Sequence, residues 1–270
     1  MRVKRAEGER PSRVTLRRTD KTSMKPLTQT VNVKCSLPRI SEHRRAIYDA
    51  GAVTGRSGKK IPIWPTGITE VSGDFLRDLV VRENAQRTLE VGLGLGLSSI
   101  AIVEGLLANA ARSGADALRG VLHTTMDYAQ SNRDHAGERT LEESGAATVT
   151  RFIARDSCVA LAQLMSDGER FDFAFIDGGH QFDPLMVDVF FALRLVKPDG
   201  LIVLDDHWMP AVQTVLAYCT TNWGLELELF DANGPGARLV AFRNNGKAHL
   251  REWDHFRPFC RANLPEYAWR

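Results

Sequence analysis

Apolar residues recur along the chain at two spacings, and the switching between them sets the expected order of elements. From about residue 87, short β-rich runs alternate with amphipathic stretches. The runs are RTLEV (87–91), GVLHTTM (120–126), TVTRFI (148–153), FDFAFI (171–176) and GLIVL (200–204). Between them, SSIAIVEGLLANAAR (98–112) and FDPLMVDVFFALRLV (182–196) have helical periodicity. In the second, Met186, Val189, Phe190 and Leu193 share a face, and Pro184 sits in the first turn, where its missing N–H is tolerated. Near-continuous apolar strands separated by helices predict a parallel sheet covered on both faces. Then come WMPAVQTVLAYCTTN (208–222), LELELF (225–230) and ARLVAFR (237–243). Only DANGPG (231–236) separates the last two, short enough for an antiparallel hairpin. The expected fold is α/β, a doubly wound sheet closed by that hairpin.

Upstream of residue 87, GRSGKKIPIWPTGIT (55–69) reads as a loop and EVSGDFLRDLV (70–80) as a helix. The loop carries Lys59, Lys60 and Trp64, residues suited to a lid over a bound substrate. The expected division is a basic, poorly ordered arm (1–45), a helical and lid segment (46–86), a core (87–245) and a C-terminal tail (246–270). Charge supports the first boundary. The whole chain of 270 residues carries a net +2, but residues 1–45 hold 13 Lys/Arg against 4 Asp/Glu, or +9, which leaves −7 for the remainder. Such an arm is suited to nucleic acid, a membrane surface or a second subunit in a homo-oligomer. Its few aromatics and lack of a helical stripe favour a solvated leader. No apolar run is long enough to cross a membrane, and the N-terminus lacks the apolar stretch of a secretory signal. Cys35, Cys158, Cys219 and Cys260 are scattered without a CxxC pair, which points to reduced thiols and a cytoplasmic protein.

Two strand ends carry the candidate chemistry. The first is LEVGLGLGLSS, where Gly92, Gly94 and Gly96 precede Ser98 and Ser99. Glycines there allow a tight strand-to-helix turn and close approach of a ligand. Glu90 lies just before them, and Asp127 ends the next strand, placed to take two ribose hydroxyls. A nicotinamide dinucleotide enzyme usually has that acid about 20 residues past the glycines; here it stands 31 past Gly96. The pattern resembles motif I of class I S-adenosylmethionine-dependent methyltransferases, over roughly residues 70–245. The resemblance implies a Rossmann-like, seven-stranded, mostly parallel sheet whose last strand is antiparallel. It implies S-adenosyl-L-methionine as cofactor and S-adenosylhomocysteine as product. Glu90, Gly92, Gly94, Gly96 and Ser98 would line the methionine and ribose side, and Asp127 would hold the ribose. Asp156 and Ser157, from ARDS, would flank the adenine, although Asp156 also suits a helix N-cap.

The second strand end is FIDGGHQF, followed 28 residues after Asp177 by LDDHW, with Asp205, Asp206 and His207. Ligands of open α/β sheets bind beyond the carboxyl ends of strands. Carboxylates ending two adjacent strands can converge on one hard cation, provided that the strand has turned by Asp206. The arrangement resembles the metal-dependent macrocin and mycinamicin type of sugar O-methyltransferase and the related cephalosporin hydroxylase group. By that resemblance Asp177, Asp205 and Asp206 would hold Mg2+, Asp177 would also face the cofactor, and His180 would be the base. The family has Glu-Asp where this chain has Asp205-Asp206. His207 is a rival base. A hydroxyl is a poor nucleophile at neutral pH, so a cation that lowers its pKa and a histidine that takes its proton make chemical sense. The expected activity is O-methylation of a small-molecule hydroxyl. Alternatives are ribose methylation of a nucleic acid guided by the basic arm, a nicotinamide-dependent oxidoreductase, and a non-catalytic nucleoside-binding protein. FIDGGH, standing where base-amino methyltransferases have an NPPY-like sequence, argues against methylation of base nitrogens.

Overall fold

The structure, a computed structural model, describes residues 36–264 apart from 115–118, 231–233, 235 and 249. The basic arm up to residue 35, including Cys35, lies outside the described residues, as do 265–270.

Seven strands form the central sheet: β3 (Arg87–Val91), β4 (Leu122–Met126), β5 (Thr150–Ile153), β6 (Phe171–Ile176), β7 (Val196–Leu204), β8 (Leu227–Leu229) and β9 (Val240–Arg243). Their order is β5-β4-β3-β6-β7-β9-β8. The first five run parallel, and β9 is antiparallel to both β7 and β8. This is the sheet expected from the resemblance. The chain steps outward from β3 through β4 to β5, then returns to β6, so the order reverses between β3 and β6. Ligand sites form at such a switch point. The register sharpens it. Val91 pairs with both Met126 and Ile176, Met126 with Ile153, and Ile176 with Leu204. Those five residues form one terminal rung, and Gly92, Asp127, Asp177 and Asp205 each stand one residue beyond it.

Side chains alternate across the sheet, and each face is closed by helices. Leu89, Val91, Ile176 and Leu204 join a cluster with α5 (Ser157–Ser166), α6 (Phe182–Leu195) and α7 (Pro210–Trp223). Phe173, Phe175 and Val203 face α1 (Leu37–Ala50), α2 (Glu70–Arg82) and α3 (Leu97–Ser113). A shorter helix, α4 (Ala136–Ser144), lies between β4 and β5 in the chain. The helix starts are locally specified: Thr69 accepts from the Ser72 amide to cap α2, and prolines occupy the first turns of α1 and α7.

Two upstream elements differ from expectation. The boundary drawn at residue 45 falls inside α1, whose Ile40, Arg44 and Ile47 are buried. The stretch read as a loop at 55–69 begins with a small hairpin, β1 (Ala52–Thr54) paired with β2 (Lys60–Pro62). Three-residue strands are too short to show alternation. Among the described residues, the segment after β9 has little regular structure, yet Asn222 fixes it through hydrogen bonds to both the amide and the carbonyl of Arg257, at 2.8 and 3.0 Å.

Candidate active site

The glycine turn is dictated by crowding at the switch point. Gly92 has φ +96°, and a Cβ there would meet the Asp177 carbonyl oxygen at 2.1 Å. Only a glycine allows β3 and β6 to end this close together. Gly96, at φ +82°, leads into α3. The amide of Gly94, exposed by the turn, donates to Asp127 Oδ2 at 3.0 Å. That carboxylate also accepts from Gln130 Nε2 at 2.8 Å and from the Ala129 amide at 2.7 Å. Gln130 is itself braced, donating to the Gly94 carbonyl at 2.8 Å and accepting from the Gly137 amide at 3.1 Å. Asp127 is therefore held rigidly by the turn, with lone pairs remaining for further donors. No sequence motif marked Gln130.

A cleft of about 430 Å³ opens above this turn. Gly92, Gly94, Ser98, Asp127 and Ser157 line it, joined at the other end by Asp177 and His180. Gly96 and Asp156 are not among its lining residues. Asp156 is exposed and caps α5, accepting from the Cys158 amide at 2.9 Å. Glu90 does not reach the cleft either. It is fully buried on the α3 face of β3, accepting from the Ser99 hydroxyl and lying 3.1 Å from His123 Nε2. Strand alternation sends it beneath the turn rather than above it. The loop from Pro65 to Ile68 forms part of the opposite wall.

At the acidic end, His180 Nε2 lies 3.6 Å from Asp177 Oδ1 and 3.4 Å from Asp206 Oδ2. Gly178 and Gly179 supply the bend that returns His180 to the strand ends. Asp205 does not join this group. Its fully buried side chain pairs through Oδ1 with Arg238 Nε at 2.6 Å, and the same oxygen accepts from the Asp206 amide at 2.8 Å. Arg238 Nη2 grips Asp206 Oδ1 at 2.8 Å, and the Trp208 indole N–H donates to that oxygen at 3.2 Å. The strand has indeed turned at Asp206, which has φ +52°, but the turn presents both carboxylates to Arg238. Burial raises the Asp177 carboxyl well above the usual range, with the charges of Asp205 and Asp206 adding to it and Arg238 opposing. Burial likewise raises Asp205, against the pull of Arg238. His207 is buried and is not part of the cleft wall.

The expected Asp177, Asp205 and Asp206 ligand set is thus not assembled. The group that comes together is Asp177, His180 and Asp206, whose donor atoms all lie within 4.8 Å of one another. One imidazole and two carboxylates, one of them gripped by Arg238, do not make the oxygen-only set that magnesium prefers. Arg238 had no sequence signal: it reaches the site from 33 residues beyond Asp205, out of the segment before β9.

Residues 89–207 match the family described as a methyltransferase domain. A curated protein of Mycobacterium sp. (strain JLS), named "Putative O-methyltransferase", is 26% identical over 61% of this chain and 68% of its own length. Among solved structures, the O-methyltransferase from Bacillus cereus in complex with S-adenosylhomocysteine is similar, with TM-score 0.56 and 18% identity over 76% of this chain and 90% of that one. TomG from Streptomyces achromogenes, an O-methyltransferase of tomaymycin synthesis in complex with S-adenosylmethionine, is similar with TM-score 0.55 and 20% identity over 76% and 89%. The family match spans the strand ends that build the cleft, from β3 to His207. Residues 89–207 carry a methyltransferase domain, and the chain has the fold of the S-adenosylmethionine-dependent methyltransferases to which it is similar.

Proposed function

We propose that the enzyme transfers the methyl group of S-adenosylmethionine to a hydroxyl oxygen of a small molecule. The observation that carries this reading is His180 set between Asp177 and Asp206 in the same cleft as the glycine turn and the braced Asp127. The O-methyltransferase names of the similar proteins support it. The narrower likeness to macrocin and mycinamicin-type enzymes rests on the DGGH stretch and the Asp205-Asp206 pair.

In this reading the cofactor lies across Gly92 and Gly94, with its ribose on Asp127 and its adenine toward Ser157. His180 Nε2 accepts the acceptor's hydroxyl proton. The oxygen attacks the methyl carbon in line, the carbon–sulfur bond breaks, and its electron pair stays on sulfur, leaving S-adenosylhomocysteine. Asp177 and Asp206 stabilise the imidazolium that forms. The donor set does not fit magnesium, and no step passes through a metal.

The reading is tested by calorimetry and methyl transfer together. S-adenosylhomocysteine should bind and NAD should not. With labelled S-adenosylmethionine and a panel of phenolic and sugar hydroxyls, His180→Ala should retain product binding and lose about 10²–10⁴-fold in turnover, the usual worth of a positioned base. Tight binding of NAD without S-adenosylhomocysteine would end the reading. Normal turnover in His180→Ala, with loss in His207→Ala, would move the base to His207.

A further inference from the structure

Among the described residues, Arg238 is the one arginine or lysine paired with Asp205 and Asp206, and it comes from outside both motifs. Its planar guanidinium spans two carboxylates, Nε on Asp205 and Nη2 on Asp206, a fork that a lysine ammonium cannot reproduce. It also lines the cleft beside Asp177, His180 and Asp206. We infer that Arg238 is a positioning residue that supplies the site's permanent positive charge in place of a divalent ion, and that it withholds Asp205 from metal coordination. The inference rests on the methyl-transfer reading above for its chemistry, but its geometry is independent of that reading.

Charge counting favours it. Asp177, Asp205 and Asp206 together carry three negative charges when ionised. Arg238 offsets one, and the cofactor's sulfonium offsets a second. The third is offset when His180 takes the acceptor proton. The cluster is therefore one positive charge short until the proton moves, which draws the proton onto His180. Adding a divalent ion would leave the same cluster with surplus positive charge and would oppose imidazolium formation. Arg238 also fixes Asp206 by Oδ1, so that Oδ2 is the oxygen turned toward His180.

The test uses the full chain and Mn2+ as the probe, followed by electron paramagnetic resonance and calorimetry. Wild type should take up no Mn2+ at micromolar concentration. Arg238→Met frees Asp205 and should bind Mn2+ at least tenfold more tightly than wild type, and adding Asp205→Asn should reverse the gain. Arg238→Lys, which keeps the charge but cannot span both carboxylates, should fall between wild type and Arg238→Met. Wild-type uptake of Mn2+ at micromolar concentration, abolished by Asp177→Asn, would overturn the inference even if Arg238→Met failed to fold. So would equal Mn2+ affinity in wild type and a folded Arg238→Met. S-adenosylhomocysteine titration is run alongside. Its failure to bind would count against methyl transfer, while the manganese comparison would still decide the role of Arg238.

Discussion

Asp188 shows how a single buried group writes a pH dependence into the fold. It lies on α6 behind Gly178 and Ser157, and neither carboxylate oxygen has a hydrogen-bond partner of good geometry. Burial pushes its pKa up to about 6, against a lowering by the nearby Ser157 hydroxyl. The folded chain therefore holds this proton more tightly than the unfolded chain does. The stability it contributes is full below the unfolded value near 4 and is lost as pH rises through about 6. Asp188→Asn should leave stability at pH 4 little changed and raise it by up to about 3 kcal/mol at pH 8. Thermal melts of both proteins across that range check it, and equal stability at pH 8 would refute it. At this scale sequence was a good guide where chemistry was local. Gly92, Asp127 and Asp177 stand directly after apolar runs, so their place at strand ends could be read from the runs alone. Glu90, one residue inside its strand, turns beneath the sheet's edge rather than into the cleft, and which way it turns is set by a register no single strand reveals. Arg238 and Gln130 depend on contacts between distant segments and left no local trace.

Among the elements, α1 carries the least expected role. Buried Arg44 on α1 pairs with Asp74 on α2 and, through Nε at 2.9 Å, with fully buried Glu104 on α3. One guanidinium thus ties three helices on one face of the sheet. Burial would lower the Arg44 pKa, but Asp74 and Glu104 more than compensate. Arg44→Met should destabilise the chain by about 3–5 kcal/mol, because it leaves Glu104 charged and alone in the interior. Arg44→Met with Glu104→Leu should recover most of that loss. Urea unfolding of the single and double variants decides the matter, and a double variant as unstable as Arg44→Met would refute the pairing. The helix was not read from sequence because its polar majority and buried arginine break the apolar stripe. The β1–β2 hairpin was missed for want of length. The long core helices and strands, by contrast, were legible to within a few residues, since their periodicity runs through several turns or pleats.

For the molecule as a whole, cofactor binding and stability are linked. A ligand bound only by the folded state at 100 times its Kd adds about 2.7 kcal/mol. For a chain of this size that is a rise of roughly 5–10 °C in Tm. S-adenosylhomocysteine should produce such a rise in wild type, Asp127→Ala should lose most of it at the same ligand concentration, and NAD should produce none. A thermal shift assay reads all three, and an Asp127→Ala rise equal to wild type would remove Asp127 from the cofactor site. The seven-stranded sheet with its antiparallel last strand followed from the resemblance, but the strand order and the shared terminal rung are visible only when the strands are assembled. Among the described residues, no helix is long and apolar enough to cross a membrane. The contact between Gly92 and the Asp177 carbonyl has a consequence for the order of events in turnover. The turn that would face the cofactor in the proposed reading and the strand end that would face the acceptor share one van der Waals boundary, with no room for even a methyl group between them. Any shift of the turn on cofactor entry would be passed to Asp177 and, through it, to His180. Binding of S-adenosylhomocysteine should therefore change the affinity for the acceptor, and the acceptor should change that for S-adenosylhomocysteine by the same factor, which paired titrations check.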